Sequence, residues 1–487
     1  MRDAITFLRR GKVVHLRPKS PTQTVLDYLR LDEKFTGTKE GCNEGDCGAC
    51  TVAIGRVKGG TLIYEPVNAC ILLVGQLHGC ELITVDDLAS EHVLHPVQQA
   101  MVKHHASQCG FCTPGFVMSL FTLYHSGLRP TRQQIVDHIA GNLCRCTGYR
   151  PIIDAAQDAC IGKPLDQWAR NEAATCGALQ ALNLDEDVMI PIQDGFIAIP
   201  ASPHALTKLA QQHPDATIVS GATDVGLWVT KQLRVLPKII HTFAVKELHD
   251  IVETSATLSI GAAATYGEAF ETLGQLHPDV AEVLRRLGSR HVRASGTVGG
   301  NIANGSPIGD MSPLLIALGA TLHLRLGDEA RELPLEQFFV TYGKQDRAPG
   351  ELVWRVEIPK LKANESFSAY KISKRFDQDI SALLFALKVK RLGNRIIEAR
   401  LAMGGMAATP KRAPKTEAAL MAIALDNEAT WHKAIASLDE DFKPISDMRA
   451  SADYRIETAK NLLHKVLLEI SYPKEATHVL NIQETAA

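Results

Sequence analysis

Two dense sets of cysteine residues constrain this chain more than any other feature, because its fold must gather four thiols in each of two places. Eleven cysteines occur in 487 residues; Cys80, Cys160 and Cys176 stand apart and are interpreted as ordinary thiols. The N-terminus lacks the apolar core of a signal peptide, so metal or redox chemistry is expected rather than disulfides. The first set is Cys42, Cys47, Cys50 and Cys70, and the second is Cys109, Cys112, Cys144 and Cys146.

The first set has the spacing C-x4-C-x2-C, followed by a fourth cysteine 20 positions later. Plant-type ferredoxins use this spacing to hold a [2Fe-2S] cluster. A loop that wraps inorganic sulfur closely needs positive φ angles and accessible backbone N–H groups, and we expect Gly41, Gly45 and Gly48 to supply them. A structural zinc site with four cysteine ligands and a disulfide framework are the alternatives for the same residues.

The second set contains a C-x-C pair in the stretch GNLCRCTGYRP, from Gly141 to Pro151. A disulfide between cysteines so close together would be strained, and zinc knuckles usually space theirs about two to four residues apart. The pair Cys109 and Cys112 supplies the other two thiols. Both pairs precede predicted helices, whose N-termini favour thiolates. The spacing alone leaves zinc open as a second possibility at this site.

The hydrophobic pattern predicts a small α+β unit at residues 1–85, followed by a helical unit. Short strands are expected at the apolar stretches TVAIG, TLIYE, ACILLV and ELITV. Thr113 precedes Pro114 and is the expected N-cap of one helix, and Thr131 with Gln134 has the spacing of a capping box. The four helices are predicted at residues 95–107, 114–126, 131–141 and 150–161.

Residues 163–188 are polar and rich in alanine, which is typical of a linker. A larger α/β region with glycine-rich turns follows, and the C-terminal part mixes strands with helices. The formal net charge of −2 gives no electrostatic reason for binding nucleic acid or an anionic membrane. No apolar run is long enough to span a bilayer, so the chain is expected to be soluble and cytoplasmic.

Two glycine-containing loops punctuate the α/β region. TIVSGATDVG, at residues 217–226, predicts a strand, a turn and a helix, and SGTVGGNIANGSPIGD, at 295–310, is a long loop ending at Asp310. The first has neither the G-x-G-x-x-G pattern of dinucleotide-binding folds nor a Walker loop. Successive backbone N–H groups in such turns form anion-binding nests that suit a diphosphate. Each loop by itself fits a purely structural turn as well.

In their order and intervening residues, the two cysteine loops resemble the iron–sulfur part of the molybdenum hydroxylases, the family of xanthine dehydrogenase and aldehyde oxidase. The resemblance implies a ferredoxin-like β-grasp [2Fe-2S] domain followed by a four-helix [2Fe-2S] domain. It assigns all eight cysteines of the two sets as cluster ligands and argues against zinc. In this family the second cluster is the one nearer the molybdopterin, so the GNLCRCTGYRP stretch is expected to face that group.

The glycine-containing loops resemble the FAD-binding domain of the same family, which is shared with flavoproteins of the vanillyl-alcohol-oxidase type. The resemblance then covers nearly the whole chain and implies a two-part α+β FAD-binding domain and a C-terminal α+β flavoprotein domain. The implied domains are residues 1–85, 86–162, 189–366 and 367–487, with the linker at 163–188. The implied FAD contacts are Ile218, Val219, Ser220, Gly221, Ala222, Thr223, Asp224, Val225, Thr297, Gly299, Gly300, Asn301, Asp310 and Lys371.

The resemblance also implies a function. Because no domain of molybdopterin-binding size is recognised in the chain, it is expected to be the small, iron–sulfur and flavin subunit of a two-subunit xanthine dehydrogenase. A large molybdopterin-binding subunit would oxidise hypoxanthine and xanthine to urate, and electrons would pass through two [2Fe-2S] clusters to FAD and then to NAD. The two subunits are expected to pair again into a dimer of heterodimers.

Other functions stay open. Animal xanthine dehydrogenases have Glu-Asp-Asp-Ile near the nicotinamide entry, whereas this chain has Gln378 between Asp377 and Asp379, which changes the field near the flavin. NAD and oxygen are therefore both candidate oxidants. The substrate pocket lies on the expected partner, so the equivalent subunit of an aldehyde- or N-heterocycle-oxidising hydroxylase is an alternative. A stand-alone flavin and iron–sulfur reductase and a zinc-stapled interaction scaffold are the others.

Overall fold

The computed structural model describes residues 2–89, 93–182, 185–473 and 477, so residues 1 and 487, the predicted outer limits of the domains, lie outside the described residues. The first unit is a five-stranded sheet with a short helix packed on it. Its elements are β1 (Ile5–Arg9), β2 (Lys12–Leu16), α1 (Val25–Asp27), β3 (Thr51–Lys58), β4 (Thr61–Asn68) and β5 (Glu81–Ile83). The strand order is β2-β1-β5-β3-β4, and β1 and β5 are parallel while the other neighbours are antiparallel.

The apolar stretch ACILLV, residues 69–74, does not form the strand that its composition predicts. It lies in turns that lead into a short 3₁₀ helix, Val74–Leu77. The start of α1 satisfies part of its backbone, since the N–H of Val25 donates to the carbonyl of Leu72 at 2.8 Å. A short apolar run indicates burial but not secondary structure, and the buried element here is a cysteine-bearing loop.

Four helices form the second unit, as predicted, although each is shorter than its sequence pattern. They are α2 (Pro96–Lys103), α3 (Thr113–Tyr124), α4 (Arg132–Ile139) and α5 (Arg150–Ala159). Helix α3 is central, because every residue from Gly115 onward is buried, and it packs on β3 as well as on the other helices. Thr131 and Gln134 form the predicted capping box. The predicted cap of α3 is wrong by one position, since Cys112 is the N-cap and Thr113 is already helical.

The segment of residues 163–188, for which the sequence predicts a linker, contains two further helices, α6 (Gln167–Arg170) and α7 (Glu172–Ala181). Leu179 lies in the same hydrophobic core as α3, and the ring of Trp168 contacts that of Phe121. An alanine-rich sequence favours helix once packing is available, and the second unit provides that packing. Residues 183 and 184 of this segment lie outside the described residues.

The third unit has two parts with a separate sheet in each. The first part contains β6 (Val188–Ile192), β7 (Gly195–Ile199), α8 (Pro203–Gln212), β8 (Thr217–Val219), α9 (Val225–Thr230) and β9 (Lys238–His241). Strands β7, β9 and β8 are parallel, and β6 is an antiparallel edge strand. The turn between β8 and α9 therefore opens at the carboxyl end of a parallel strand, where ligands bind in sheets of this kind.

The second part of the third unit is an antiparallel sheet covered by helices. The elements are β10 (Ile251–Glu253), β11 (Thr257–Gly261), α10 (Phe270–Gly274), α11 (Pro278–Arg285), α12 (Arg290–Ser295), α13 (Val298–Asn304), α14 (Met311–Leu318), β12 (Thr321–Leu326), β13 (Glu329–Pro334), α15 (Leu335–Phe338), β14 (Phe339–Thr341), β15 (Lys344–Gln345) and β16 (Leu352–Pro359). The strand order is β10-β11-β16-β12-β13, and β14 and β15 form a small separate hairpin.

The fourth unit is an antiparallel sheet with helices on one face. Its elements are β17 (Glu365–Ile372), β18 (Leu383–Leu392), β19 (Arg395–Gly404), β20 (Lys411–Arg412), α16 (Pro414–Leu420), α17 (Trp431–Ala436), α18 (Leu438–Asp441) and α19 (Ala452–Ser471). Side chains alternate along β18, so Leu384 and Ala386 join the core of the third unit while Phe385 and Leu387 pack under the helices. Of the helices within the described ranges, none is long and apolar enough to cross a bilayer.

Asp166 ties α6 to the four-helix unit. Its Oδ2 lies 2.7 Å from Nε2 of His95 and 2.7 Å from Nε2 of His125. Burial acts to raise the pKa of Asp166, but the hydrogen bonds from the two histidines outweigh it and hold that pKa well below its ordinary value. Nδ1 of His95 accepts the N–H of Val97, so Nε2 of His95 carries a proton and donates to the carboxylate. The three groups form a hydrogen-bonded clamp rather than a metal site.

We expect Asp166→Ala to release α6 and α7 from the four-helix unit. Each hydrogen bond to a charged group contributes about 1.5–3 kcal/mol, so the local free energy of opening should fall by roughly 3 kcal/mol. Hydrogen exchange of the amides of α7 would measure this change. Because the folded-state pKa of Asp166 is lowered, its contribution should be complete above the ordinary aspartate pKa of about 4 and should be lost as pH falls toward the folded pKa.

Asp158→Ala is the matched control. Asp158 also pairs with a lysine and a histidine, Lys103 and His104, but on the exposed surface. Exposed pairs of this kind contribute about 0–1 kcal/mol. Identical exchange of α7 in the two variants would contradict a clamp at Asp166.

Candidate functional site

Three cysteines of the first set, Cys42, Cys47 and Cys50, lie in a tight loop at residues 42–50. The sulfur of Cys42 accepts the backbone N–H of Asp46 at 3.4 Å and that of Cys47 at 3.3 Å, and the N–H of Cys42 donates to the sulfur of Cys47 at 3.3 Å. A hydrogen bond from the Cys47 thiol, with these backbone donors, lowers the pKa of Cys42 despite its partial burial. Donors directed at sulfur stabilise the thiolate, which is the form that binds a metal or cluster.

Cys50 and Cys70 complete the first set from the sheet, since Cys50 directly precedes β3 and Cys70 follows β4. Both are buried, and a hydrogen bond between their thiols, followed by burial, raises the pKa of Cys70. The structure therefore brings the four candidate ligands together as two contacting pairs, Cys42 with Cys47 and Cys50 with Cys70.

The glycines of this loop serve two purposes. Gly45 and Gly48 have φ angles of 78° and 67°, as expected for a loop that wraps its ligand. Gly41 does not have a positive φ, so that part of the prediction is wrong. Close approach requires glycine there instead, because a Cβ on Gly41 would lie 2.7 Å from the sulfur of Cys47.

The second cysteine set lies at one end of the four-helix unit. Cys112 caps α3, and Cys144 and Cys146 lie in the turn before α5, so both pairs precede helix N-termini as predicted. The thiols meet across the two turns. Burial and then a hydrogen bond with Cys144 raise the pKa of Cys112 to about 12, and a hydrogen bond with Cys109 raises the pKa of Cys146. The C-x-C pair thus finds its partners in the C-x2-C pair.

Hydrogen bonds from Thr147 stabilise the thiolate of Cys144. Burial acts to raise its pKa, but the hydroxyl of Thr147 at 3.1 Å and the N–H of Thr147 at 3.4 Å outweigh that effect and lower it. The N–H of Cys144 donates to the hydroxyl of Tyr149 at 3.0 Å. Cys109 and Cys146 are exposed, so this site reaches the molecular surface.

A cavity of about 730 Å³ lies between the first, third and fourth units. Its walls come from the first cysteine loop, from both parts of the third unit, and from β17 and the loop after it. Of the predicted FAD contacts, Val219 points instead into a small hydrophobic core. The others line the cavity: Ile218, Ser220, Gly221, Ala222, Thr223, Asp224, Val225, Thr297, Gly299, Gly300, Asn301, Asp310 and Lys371.

Several buried polar atoms on the cavity wall have no hydrogen-bond partner in the part of the chain that the structure describes. A buried polar group left unpaired costs about 1–3 kcal/mol, so their clustering on one surface indicates that a polar ligand supplies the partners. FAD, with its ring amides, ribityl hydroxyls and diphosphate, fits this requirement. The atoms are Ser220 Oγ, Thr242 Oγ1, Tyr266 Oη, Asn301 Oδ1 and Gln378 Oε1.

The stretch SGTVGGNIANGSPIGD contains helix α13, which corrects the expectation of a nest of free N–H groups there. Thr297 caps the helix, and its hydroxyl accepts the N–H of Gly300 at 3.1 Å. The N–H of Gly299 donates to the carbonyl of Ala262 at 3.0 Å. A Cβ on Gly299 would lie 2.4 Å from that of Ala262, so this glycine permits close packing behind the cavity wall.

The turn between β8 and α9 supplies the free donors instead. Within the described residues, the backbone N–H groups of residues 221–225 donate no hydrogen bond. Ala222 has a φ of 60° and Asp224 is right-handed, and turns that combine left- and right-handed residues form anion-binding nests. This turn is therefore the candidate site for the diphosphate of FAD.

Asp310 and Lys371 form a buried ion pair on the cavity wall. Nζ of Lys371 lies 2.5 Å from Oδ2 of Asp310, and the hydroxyl of Ser381 donates to Oδ1 at 2.5 Å. Asp310 belongs to the third unit, whereas Lys371 and Ser381 belong to the fourth. The carboxylate therefore joins two units at the cavity as well as lining it.

Gln378 belongs to the site, although the sequence reasoning did not include it among the FAD contacts. It is buried, lines the cavity, and donates from Nε2 to the carbonyl of Asp46 at 2.7 Å. The first cysteine loop thereby becomes part of the cavity wall. No periodic pattern could indicate a contact between residues 332 positions apart. The one sign in the sequence that Gln378 matters is that it departs from the Glu-Asp-Asp-Ile stretch of animal xanthine dehydrogenases.

Four family models match the chain in series. A 2Fe-2S iron-sulfur cluster binding domain matches residues 9–74, and a [2Fe-2S] binding domain matches 84–157. An FAD binding domain in molybdopterin dehydrogenase matches 192–361, and a CO dehydrogenase flavoprotein C-terminal domain matches 368–470. The chain therefore carries two [2Fe-2S] domains and an FAD-binding domain, and the predicted multidomain α+β fold is confirmed.

Known proteins resemble the chain over much of its length. Xanthine dehydrogenase of Drosophila pseudoobscura pseudoobscura is 31% identical, over 96% of this chain and 39% of the relative. Aldehyde oxidase 2 of Macaca fascicularis is 29% identical, over 76% of this chain and 32% of the relative. The structure of quinoline 2-oxidoreductase from Pseudomonas putida 86 is 26% identical with a TM-score of 0.51, over 56% of this chain and 95% of that chain. The chain thus spans less than half the length of these curated relatives.

We expect Asp310→Ala to lower the FAD content while the iron content stays unchanged. The change removes a carboxylate from the cavity wall and leaves the ammonium of Lys371 buried without its partner, which a buried site tolerates poorly. Flavin released by denaturation after gel filtration, compared with iron per chain, would measure the effect.

Glu336→Ala is the matched control for this variant. Glu336 also joins the third and fourth units, through Arg400 at 2.8 Å and Arg412 at 3.1 Å, but it does not line the cavity. It should retain FAD. Equal loss of FAD in both variants would show that FAD binding depends on docking of the third and fourth units and not on the carboxylate in the cavity wall. Full retention of FAD in Asp310→Ala would exclude Asp310 from the FAD site.

Proposed function

Since the chain belongs to the molybdenum hydroxylase family, of which it carries the iron–sulfur and FAD domains, we propose that it is the electron-transfer subunit of a xanthine dehydrogenase. A separate molybdopterin-binding large subunit would oxidise hypoxanthine and xanthine to urate. Two bound [2Fe-2S] clusters would carry single electrons, and bound FAD would collect them in pairs for transfer to NAD. The observation that carries the proposal is that the first cysteine loop contacts both the turn that carries Cys144 and the cavity.

One backbone hydrogen bond connects the cysteine-bearing turns of the two sets directly. The N–H of Leu143 donates to the carbonyl of Cys47 at 3.0 Å, and Leu143 directly precedes Cys144. A candidate ligand of one set is thereby connected to a candidate ligand of the other through covalent bonds and one hydrogen bond. This short connection supports direct electron transfer between clusters held at these positions.

The contact with the cavity is made by the residues just before Cys47 in the same loop. Glu44, Gly45 and Asp46 line the cavity, and the carbonyl of Asp46 accepts the hydrogen bond from Gln378. Electron transfer is favoured if the flavin ring lies at the end of the cavity that these three residues line, close to the first cysteine set. The N–H groups of residues 221–225 would then hold the diphosphate.

The second cysteine set supplies the entry point. Cys109 and Cys146 are exposed, and the neighbouring side chains of Phe111 and Leu143 are 49% and 40% exposed. Large apolar side chains beside exposed ligands fit a surface that another subunit covers. We propose that the large subunit docks mainly on residues 86–164, and that two such heterodimers pair. The order is then partner, second set, first set, FAD.

The proposed substrate is supported by the similarity to known proteins. Xanthine is supported by the relative that is 31% identical over 96% of this chain. The similarity to aldehyde oxidase 2 and to quinoline 2-oxidoreductase supports the alternative, an equivalent subunit of an aldehyde- or N-heterocycle-oxidising enzyme. These proposals differ only in the substrate pocket of the partner.

We propose a cytoplasmic location, where thiols such as the eleven free ones of this chain stay reduced.

The chain purified alone, with iron, sulfide and FAD restored, should reduce a dye with NADH and should not oxidise xanthine. The flavin and cluster sites lie on this chain, whereas the hydroxylation pocket would lie on the partner. The complex with a co-purified large subunit should reduce NAD with xanthine, and an aldehyde or quinoline offered to it tests the alternative. Xanthine oxidation by the chain alone would contradict a subunit role, and a flavin that NADH cannot reduce would contradict NAD as the oxidant.

In the assembled enzyme, Cys144→Ser should abolish turnover of xanthine with NAD while NADH still reduces FAD. The second set lies between the partner and the rest of the chain, whereas NADH would meet the flavin directly. Stopped-flow absorbance at the flavin band separates the two reactions. Cys176→Ser is the matched control, because Cys176 lies in the adjoining helix α7 and outside both sets. Normal xanthine turnover in Cys144→Ser would refute the proposed order.

A further inference from the structure

His291 of α12 reaches from the third unit into the contact between the two iron–sulfur domains. It is 1% exposed. Its Nε2 lies 3.1 Å from Oγ1 of Thr51 in the first unit and 3.0 Å from Oγ of Ser119 in the second. One imidazole thus contacts both domains from a unit that contains neither cysteine set, and the proposed function gives it no role.

The surrounding hydrogen bonds fix the position of the imidazole proton. The hydroxyl of Thr51 donates to the carbonyl of Gly48 at 2.6 Å, and that of Ser119 donates to Oδ1 of Asn142 at 2.6 Å. Each hydroxyl has one proton, so both can only accept from His291. Nε2 of His291 therefore carries the proton and donates a hydrogen bond to both hydroxyl oxygens. The ring is neutral, because burial above all lowers its pKa to about 3.

The same network holds the residues beside the hydrogen bond that connects the cysteine sets. Nδ2 of Asn142 donates to the carbonyl of Gly48 at 3.1 Å. Gly48 directly follows Cys47, and Asn142 directly precedes Leu143, whose N–H donates to the Cys47 carbonyl. His291 is therefore linked to both sides of this segment, through Thr51 to Gly48 and through Ser119 to Asn142.

The turn that carries Cys144 begins in close contact with this imidazole. A Cβ on Gly141 would lie 2.2 Å from Nδ1 of His291. That Nδ1 has no hydrogen-bond partner in the described part of the chain, so the ring acts through Nε2. A side chain at position 141 would move either the ring or the turn that carries Cys144.

We propose that His291 is a positioning residue of the electron-transfer path, whose Nε2–H fixes the two iron–sulfur domains against each other at the Cys47–Leu143 hydrogen bond. The proposal rests on the proposed function, because it concerns electron transfer between the two clusters. Under this proposal the FAD-binding domain, which carries His291, also holds the two iron–sulfur domains in contact. Loss of this N–H should loosen that contact without removing a cluster ligand or a residue of the FAD cavity.

The test uses the full chain with iron, sulfide and FAD bound. His291→Leu removes the donor at similar volume, and His291→Gln keeps an amide N–H. Reduction starts at the flavin, either with NADH or by light-driven reduction of the bound FAD. Freeze-quench EPR then follows the delay between reduction of the first and of the second cluster, and a redox titration gives the potentials of both.

We expect His291→Leu to lengthen this delay several-fold, with FAD reduction, cluster potentials, iron content and FAD content unchanged. His291→Gln should restore most of the rate. His241→Leu is the matched control, since His241 is also a buried histidine of the third unit packed against the first, at Gly75, but its ring nitrogens bond to nothing in the described residues. Its delay should be that of the unmodified protein.

An unchanged delay in His291→Leu, with clusters and FAD retained, would overturn the proposal. Equal delays in the leucine and glutamine variants would also overturn it, because the N–H would then not matter. If His291→Leu loses its clusters, Ser119→Ala removes one acceptor of the same proton and should lengthen the delay to a smaller extent; no change there overturns the proposal. A flavin that NADH fails to reduce counts against the proposed function alone, since the light-driven experiment still tests His291.

Discussion

The arrangement of the whole chain depends on the close contact between residues 47–48 and 141–143, where the two cysteine turns meet. The carbonyl of Cys47 accepts the N–H of Leu143, and the carbonyl of Gly48 accepts Nδ2 of Asn142. The approach leaves no space for a side chain at position 48, since a Cβ on Gly48 would lie 2.3 Å from the carbonyl oxygen of Gly141. Two domains that meet through backbone in this way can be separated only by losing several buried hydrogen bonds together.

The cavity has a different origin, because no single unit contains it. The first unit supplies the cysteine loop, the third supplies the turn between β8 and α9 and the glycine-rich helix α13, and the fourth supplies Lys371 and Gln378. Ion pairing of Lys371 with Asp310 and the bond from Gln378 to Asp46 hold these walls together. The unpaired buried atoms on the wall mean that a bound cofactor should stabilise the assembled units as well as serve the chemistry.

The differences between sequence and structure have identifiable physical causes. The ACILLV stretch is apolar because it is buried around Cys70, and burial alone does not distinguish a strand from a tightly held loop. The glycines of SGTVGGNIANGSPIGD suggest a flexible turn, yet Gly299 is needed because a helix packs closely against Ala262. The alanine-rich segment after the four helices becomes helical because Leu179 and Trp168 find a hydrophobic surface there. In each case a neighbour distant in the chain decided between two local structures that the sequence allows.

The spacing of the cysteines and the residues around them predicted two iron–sulfur domains and their order, because four thiolates on one cluster restrict loop length tightly. The flavin domains that follow were predicted from the resemblance of the two glycine-containing loops. Tertiary structure alone decided how these parts connect: that the loop of Cys47 lies between the second cysteine set and the cavity, that Gln378 contacts Asp46, and that His291 enters from a third domain. Such contacts join residues between 96 and 332 positions apart by individual hydrogen bonds, and an individual hydrogen bond leaves no periodic pattern in a sequence.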